Sequence, residues 1–139
     1  MKKTVLDVGN CNPDHGALDR MLTSRYDVVV LRAHQLSDAL QLLGEESVDL
    51  ILINRKLDID YSDGVEILRY LKRESRFQKI PIMIITNHDD HQKAAVAEGA
   101  EYGIGKLQYS EPATHDRLSR FLDFKTTEQQ TVPGRTDKK

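Results

Sequence analysis

The sequence predicts an α/β domain built on a doubly wound, five-stranded parallel sheet. Two stretches, Val48–Asn54 (VDLILIN) and Ile80–Ile85 (IPIMII), are short, β-branched and apolar without alternation. A strand with one wet face alternates; an unbroken apolar run marks a strand covered on both sides, as in parallel sheets. Such runs alternate along the chain with segments of helical apolar spacing, giving the unit βα five times. That order implies right-handed crossovers and helices on both faces of the sheet. The length, 139 residues, suits one domain around one core of ordinary size.

Each element has a local reason. Thr4–Val8 (TVLDV) reads as the first strand, interrupted by Asp7, and Gly9–Pro13 is dense in turn formers. In Asp14–Ser24, Ala17, Leu18, Met21 and Leu22 share one helical face. Tyr26–Leu31 is the second strand. Ser37 is positioned to cap a helix running to Leu43, with Ala39, Leu40, Leu42 and Leu43 inward and Gly44 as its stop. The central strand then delivers Asn54, the first polar side chain after the run. An acidic loop follows, containing Asp58, Asp60 and Asp63. The next helix, Gly64–Ser75, turns Val65, Ile67, Leu68 and Leu71 inward. Pro81 is tolerated at the start of the fourth strand, and Thr86 and Asn87 stand at its carboxyl end. Asp89–Glu98 is a weaker, alanine-rich helix closed by Gly99. Glu101–Gly105 is a short last strand leading into Lys106. Ser110 is placed to cap a final helix with Pro112 in its first turn and Leu118, Phe121 and Leu122 on its apolar face. The compact domain is expected over residues 1–124; residues 125–139 are polar and aperiodic and expected to be disordered.

Bulk properties exclude several classes. A net charge of −2 gives no electrostatic case for binding nucleic acid or an anionic membrane. A single cysteine, Cys11, excludes an internal disulfide and suits a reducing compartment. The N-terminus holds no long apolar segment, so neither a signal peptide nor a membrane anchor is expected, and the cytoplasm is the expected location. His88 and His91 have an i, i+3 spacing found among transition-metal ligands, but no third and fourth ligand is evident, and they read as exposed polar residues at a helix start. Asp14-His15-Gly16 lacks the spacing of a cobalamin-binding signature. Cys11 reads as a small buried hydrophobe.

Taken in order, VDLILIN, the DG-helix segment Asp63-Gly64-Val65-Glu66-Ile67-Leu68, PIMIIT and EGAEYGIGK resemble the receiver domain of two-component response regulators, a flavodoxin-like fold. The resemblance spans about residues 3–124. It implies an aspartate phosphoacceptor at the end of the third strand and two acids after the first strand that hold Mg²⁺. A Thr or Ser after the fourth strand and a Lys after the fifth contact the phosphate. By this match Thr86 and Lys106 are retained. Asn54 stands at the acceptor position. The acidic pair falls on Gly9 and Asn10 if the first helix sets the register, or on Asn10 and Cys11 if Pro13 does; neither register supplies a carboxylate. Gly103 replaces the switch aromatic three residues before the lysine, Tyr102 beside it should point to the opposite face, and Leu107 replaces the usual proline.

These replacements have chemical consequences. An amide nitrogen delocalised into its carbonyl is no substitute for a carboxylate nucleophile. Mg²⁺ takes hard, preferably charged oxygens, so its binding is expected to be lost or very weak, and no cofactor is expected. Lys106, without its usual anionic neighbours, is expected to turn to carbonyl oxygens of Asn54 or Asn10 or to a bound anion. The resemblance thus implies a non-enzymatic, degenerate receiver. It would be a stand-alone two-component or phosphorelay module that is not phosphorylated and acts by protein–protein interaction. Its partner, a histidine kinase or an output protein, would meet the face of the fourth helix, fifth strand and fifth helix (residues 93–98, Tyr102 and 109–120). Any output would come from that partner or from the tail. The chain is expected to be a monomer or weak homodimer, with one resting conformation because Gly103 removes the rotamer switch. Two alternatives stay open: an active receiver using Asp58, Asp60 or Asp63, and a small-ligand sensor using the vacant pocket.

Overall fold

The computed structural model describes residues 2–126. Its strands are β1 (Lys3–Val8), β2 (Val28–Ala33), β3 (Leu50–Asn54), β4 (Ile82–Ile85) and β5 (Glu101–Ile104). Its helices are α1 (Asn12–Arg25), α2 (Leu36–Glu45), α3 (Val65–Arg73), α4 (Asp89–Ala97) and α5 (Pro112–Leu118), with a 3₁₀ turn over Lys106–Gln108. The strands form one sheet in the order β2-β1-β3-β4-β5, all pairs parallel. This is the doubly wound, five-stranded arrangement that the alternating runs imply.

Alternation along β3 divides the core. Ile51 and Ile53 pack with Ile67, Leu68 and Leu71 of α3, Ala39 and Leu43 of α2 and Ala95 of α4. Leu50 and Leu52 pack on the other face with Leu18 and Leu22 of α1 and Leu118 of α5. All four β3 side chains are fully buried, which is why this strand carries no polar residue before Asn54. Tyr26 is also fully buried. Its hydroxyl bonds His115 Nδ1 at 2.6 Å, while His115 Nε2 bonds the Tyr109 carbonyl at 2.6 Å. Burial pushes the Tyr26 hydroxyl up to about 12.

Several boundaries differ from the sequence expectation. β2 begins at Val28 rather than Tyr26, because Tyr26 turns into the α1/α5 core and bridges Phe124 instead. β4 begins at Ile82, two positions after Ile80, since Pro81 donates nothing to the ladder. The cap of α2 is Gln35, not Ser37: Asp38 reaches back to the Gln35 backbone N–H at 2.9 Å, closing a capping box. Gly44 does not stop α2, which runs on through Glu45; a glycine costs about 1 kcal/mol in a helix interior, little enough to be tolerated in this exposed last turn. Glu111 rather than Ser110 is the N-cap residue of α5. From residue 127 onward, the tail expected over 125–139 lies outside the described residues; Lys125 N–H still bonds the Arg25 carbonyl at 3.0 Å.

Candidate functional site at the carboxyl end of the sheet

In open α/β sheets, ligands gather beyond the carboxyl ends of the strands where the winding reverses. Here that point lies between β1 and β3, where Val8 is in register with Ile53. Asn54 follows on β3. Gly9 follows on β1 with φ of 85°, and a Cβ there would lie 2.5 Å from Leu57 Cδ2. Glycine at this position therefore lets the β3–α3 loop fold back over the end of β1. Leu57 is buried beneath that turn, and Asp58 N–H bonds the Gly9 carbonyl at 2.9 Å. Within the loop, Leu57 N–H bonds Ser62 O at 2.9 Å and Gly64 N–H bonds Arg55 O at 2.7 Å.

The loop also engages Asn54, whose Nδ2 donates to the Lys56 carbonyl at 2.6 Å. A carboxylate at this position has no proton to give that carbonyl. The loop acids have structural partners of their own. Asp60 accepts from Ser62 N–H and Oγ, which holds its carboxyl below the usual range. Asp63 accepts from Val65 N–H at the start of α3 and lies 3.9 Å from Arg55.

Under the loop sits a buried polar cluster. Asn10 and Asp7 are wholly buried. Asn10 Nδ2 donates to Asp7 Oδ1 at 2.6 Å, and His15 Nδ1 lies 2.6 Å from Asp7 Oδ2. Burial pushes the Asp7 carboxyl up, against the opposing pull of its bonds to His15 and Asn10. Arg32 bonds the Asn10 backbone carbonyl at 3.0 Å, while Asn10 Oδ1 and Arg32 Nε have no hydrogen-bond partner among the described residues. Asp7 is thus satisfied inside the fold, one register position below the strand ends.

Lys106 behaves differently from expectation. Its Nζ pairs with Asp14 Oδ2 at 2.6 Å, rather than with Asn54 or Asn10 oxygens. Asp14 comes from the first turn of α1, a carboxylate that neither sequence register placed at the site. The Lys106 bond holds the Asp14 carboxyl below its usual range, assisted by a bond from Cys11. Cys11 itself is half-buried rather than a core residue. Thr86 is nearly buried and accepts from His88 N–H at 3.3 Å, with His91 Nδ1 3.2 Å from its hydroxyl.

Gly103 also has a local explanation. Gln92 of α4, 2 % exposed, points into the sheet. Its Oε1 accepts from Gly103 N–H at 2.7 Å and its Nε2 donates to Ile84 O at 2.9 Å and Thr86 O at 3.3 Å. A Cβ at residue 103 would overlap the Ile84 carbonyl and sit 3.0 Å from Gln92 Oε1. Sequence reading passed over Gln92; its signal was a polar residue one helical turn before Ala95 on the buried face of α4. Tyr102 is directed outward, its hydroxyl bonded to Asp89 and its ring 4.4 Å from the Arg117 guanidinium carbon.

Two depressions flank Asn54 and Lys56. One, of about 290 Å³, is lined by Cys11, Asp14, Leu57, Asp58 and Tyr61. The other, of about 380 Å³, lies toward Thr86, His88, His91 and Lys106. Among the described residues no group of three or more His, Cys, Asp or Glu side chains is placed to hold a metal ion. The depression beside Asn54 carries two carboxylates, Asp14, which is paired with Lys106, and Asp58, fewer charged oxygens than a cluster of three acids would offer Mg²⁺. No helix among the described residues is long and apolar enough to cross a membrane.

The sheet order and the gathering of Asn54, Thr86 and Lys106 at its carboxyl end define a flavodoxin-like domain with its site at the winding reversal. The family model for the response regulator receiver domain matches residues 14–111, and the chain belongs to that family. Among solved structures it is similar to the non-phosphorylated receiver domain of the stress response regulator RcsB from Escherichia coli. That match has a TM-score of 0.69 and 17% identity over 86% of this chain and 94% of that one. It is also similar to the Mn²⁺-bound form of the response regulator Rcp1, with a TM-score of 0.59 and 18% identity over 74% and 78% of the two chains. A third similar structure is the receiver domain of Francisella response regulator 1452, with a TM-score of 0.60 and 17% identity over 76% and 84%. Identities this low bear on the fold. No curated protein matches the chain. Receiver domains are in general signalling domains that interact with proteins such as kinases or output domains.

Proposed function

We propose that this receiver domain signals without being phosphorylated, as a protein-binding module held in one conformation. The observation that carries the reading is the state of the acceptor position: Asn54, whose amide is tied to the Lys56 carbonyl. The surroundings support it. Lys106 is neutralised by Asp14, and among the described residues no group of three or more His, Cys, Asp or Glu side chains is placed to hold the metal cation that neutralises the equatorial oxygens in phosphoryl transfer. Mg²⁺ binding is accordingly lost or very weak in this proposal. Of the loop acids, Asp60 and Asp63 serve the local turn and the start of α3, which leaves Asp58 to carry the loop alternative.

Partner binding falls to the surface of α4, β5 and α5, where Val96 and Tyr102 are accessible and Arg117 and Arg120 border them. Gln92 ties α4 to both β4 and β5, which supports a single arrangement of this face. Incubation with a small phosphodonor and Mg²⁺, followed by intact-mass measurement, tests the proposal. An unchanged mass is expected. A stoichiometric phosphoryl adduct that persists in Asn54→Ala and vanishes when Asp58, Asp60 and Asp63 are changed to Asn would replace this reading with the loop alternative.

A further inference from the structure

The two edges of the sheet are built differently. At one edge, β5 is short and its pairing with β4 shifts register between Met83 and Ile85. Its Gly103 N–H and carbonyl are both taken by side chains, Gln92 Oε1 at 2.7 Å and Arg117 Nη1 at 3.2 Å. Brevity, an irregular ladder and side-chain cover are devices that keep an edge from pairing. At the other edge, β2 has none of them. It runs six residues, VVVLRA, without proline or lysine, in unbroken register with β1. The Asp27 and Ala33 carbonyls accept from Lys3 and Gly9. The two-residue period of a strand therefore turns the backbone groups of Val29 and Leu31 toward β1, and those of Val28, Val30 and Arg32 outward. Among the described residues no side chain or loop bonds these outward groups.

We infer that β2 is a homodimerisation edge, pairing antiparallel with β2 of a second copy about a two-fold axis at Val30. That axis makes the strand complementary to itself. Val28 faces Arg32 of the second copy and Val30 faces its own counterpart, each pair exchanging two backbone bonds. Every outward N–H and C=O of both strands is then satisfied. Val29 lies on the side where Leu31 packs against the α2 core, yet it is 42 % exposed. The axis sets it against Leu31 of the second copy in a non-hydrogen-bonded pair, where facing side chains come closest. Charge permits the approach. Arg32 is the one charged residue of β2 and its guanidinium is turned back to the Asn10 carbonyl. The two Arg32 residues lie four positions apart along the ladder, about 13 Å, beyond the screening length of about 8 Å at physiological salt. The contact is narrow: six residues a side, against about 20–30 in a standard complex. The dimer is therefore weak, with a Kd on the order of 0.1 mM. An isologous pair closes at two copies. It puts β5 at both far ends of the joined sheet, so the α4, β5 and α5 surface stays free in each copy and is displayed twice. Nothing in this assembly depends on the chemistry at residue 54.

Sedimentation equilibrium of the full chain between about 10 µM and 2 mM, a range that brackets this Kd, should show a monomer–dimer equilibrium. Over the same range, hydrogen exchange at the amides of Val28, Val30 and Arg32 should slow with concentration, while Val29 and Leu31 keep the protection that β1 gives them. Val29→Lys places an ammonium group in the pair facing Leu31, and each dimer carries the change twice; association should weaken by about tenfold or more. The residue is exposed in the single chain, so the fold is retained. Val96→Lys makes the same change in charge at a valine 44 % exposed on α4 and should leave association within about twofold. A chain that stays monomeric throughout, assemblies that grow past two copies, outward amides whose exchange ignores concentration, or a dimer weakened as much by Val96→Lys as by Val29→Lys overturns the inference.

Discussion

Replacing Gln92 by leucine isolates the contact that fixes α4 to the sheet. Leucine has similar bulk and keeps the pocket between α4 and β5 filled, so the loss is chiefly polar. The change removes an accepted bond of 2.7 Å from Gly103 N–H and donated bonds of 2.9 and 3.3 Å to the Ile84 and Thr86 carbonyls. Gly103 N–H then stays buried without an acceptor, which costs about 1–3 kcal/mol. The two carbonyls, each with a second lone pair, lose about 0.5–1 kcal/mol apiece. Greater apolar burial by leucine returns part of this, leaving a net loss of about 2–4 kcal/mol. In urea, with a slope of about 1–3 kcal/mol/M for a domain of this size, the midpoint should fall by about 1–2 M. Native-state hydrogen exchange should show the Gly103 amide losing protection more than the amides of β1. A loss under about 0.5 kcal/mol, with Gly103 still protected, would refute the claim that this side chain fixes the helix and fills the place of a switch residue.

Two electrostatic predictions follow from the site. Asp14→Asn removes the ion pair to Lys106; both side chains are about one-third accessible, so the cost near neutral pH should be about 0.5–1 kcal/mol. Because the folded-state pKa of Asp14 is lowered, that stabilisation is present above the unfolded value of 3.8 and lost as pH falls through the lowered one. Urea titrations of the two proteins should therefore converge on acidification, and a gap that widens instead would contradict the pairing. Asp7→Asn has the opposite sign. The Asp7 carboxyl is raised by burial, so its contribution is greatest below 3.8 and is lost as pH rises through the elevated value. The variant's stability relative to the parent should grow over that interval, by about 1.4 kcal/mol for each unit of elevation. A difference that is flat or declines with pH would show that the bonds to His15 and Asn10 outweigh burial.

The parts of the fold legible in the sequence are those whose causes are local. β3 and β4 announce themselves because both faces of each strand are covered, leaving no position for a polar residue until Asn54 and Thr86. Helix faces were legible for the same reason: Leu18 and Leu22, or Ile67, Leu68 and Leu71, recur at the spacing that burial demands. Element ends were less legible because a distant group decides them. Tyr26 leaves β2 for a partner on α5, His115, and Asp38 outbids Ser37 in capping α2 by reaching the Gln35 backbone. The site was legible as a set of absences. What fills them was less so, since two of the fillers come from remote parts of the chain: Asp14 meets Lys106 across 92 positions, and Leu57 slides beneath Gly9.

Those fillers lead to the prediction that Asn54→Asp alone leaves the domain without a phosphoryl adduct when intact mass is measured after incubation with a phosphodonor and Mg²⁺. A lysine at the mouth of a sheet is stabilised by a negative neighbour, and with Asn54 neutral Asp14 of α1 is that neighbour. An aspartate restored at residue 54 would compete with Asp14 for Lys106 and would also face the Lys56 carbonyl that the Asn54 amide now satisfies. The aromatic position is closed independently: a side chain at Gly103 must displace both the Ile84 carbonyl and the Gln92 amide before it can move between two rotamers. Acceptor, lysine and switch are thus held by three separate sets of contacts, of which substitution at residue 54 removes only one.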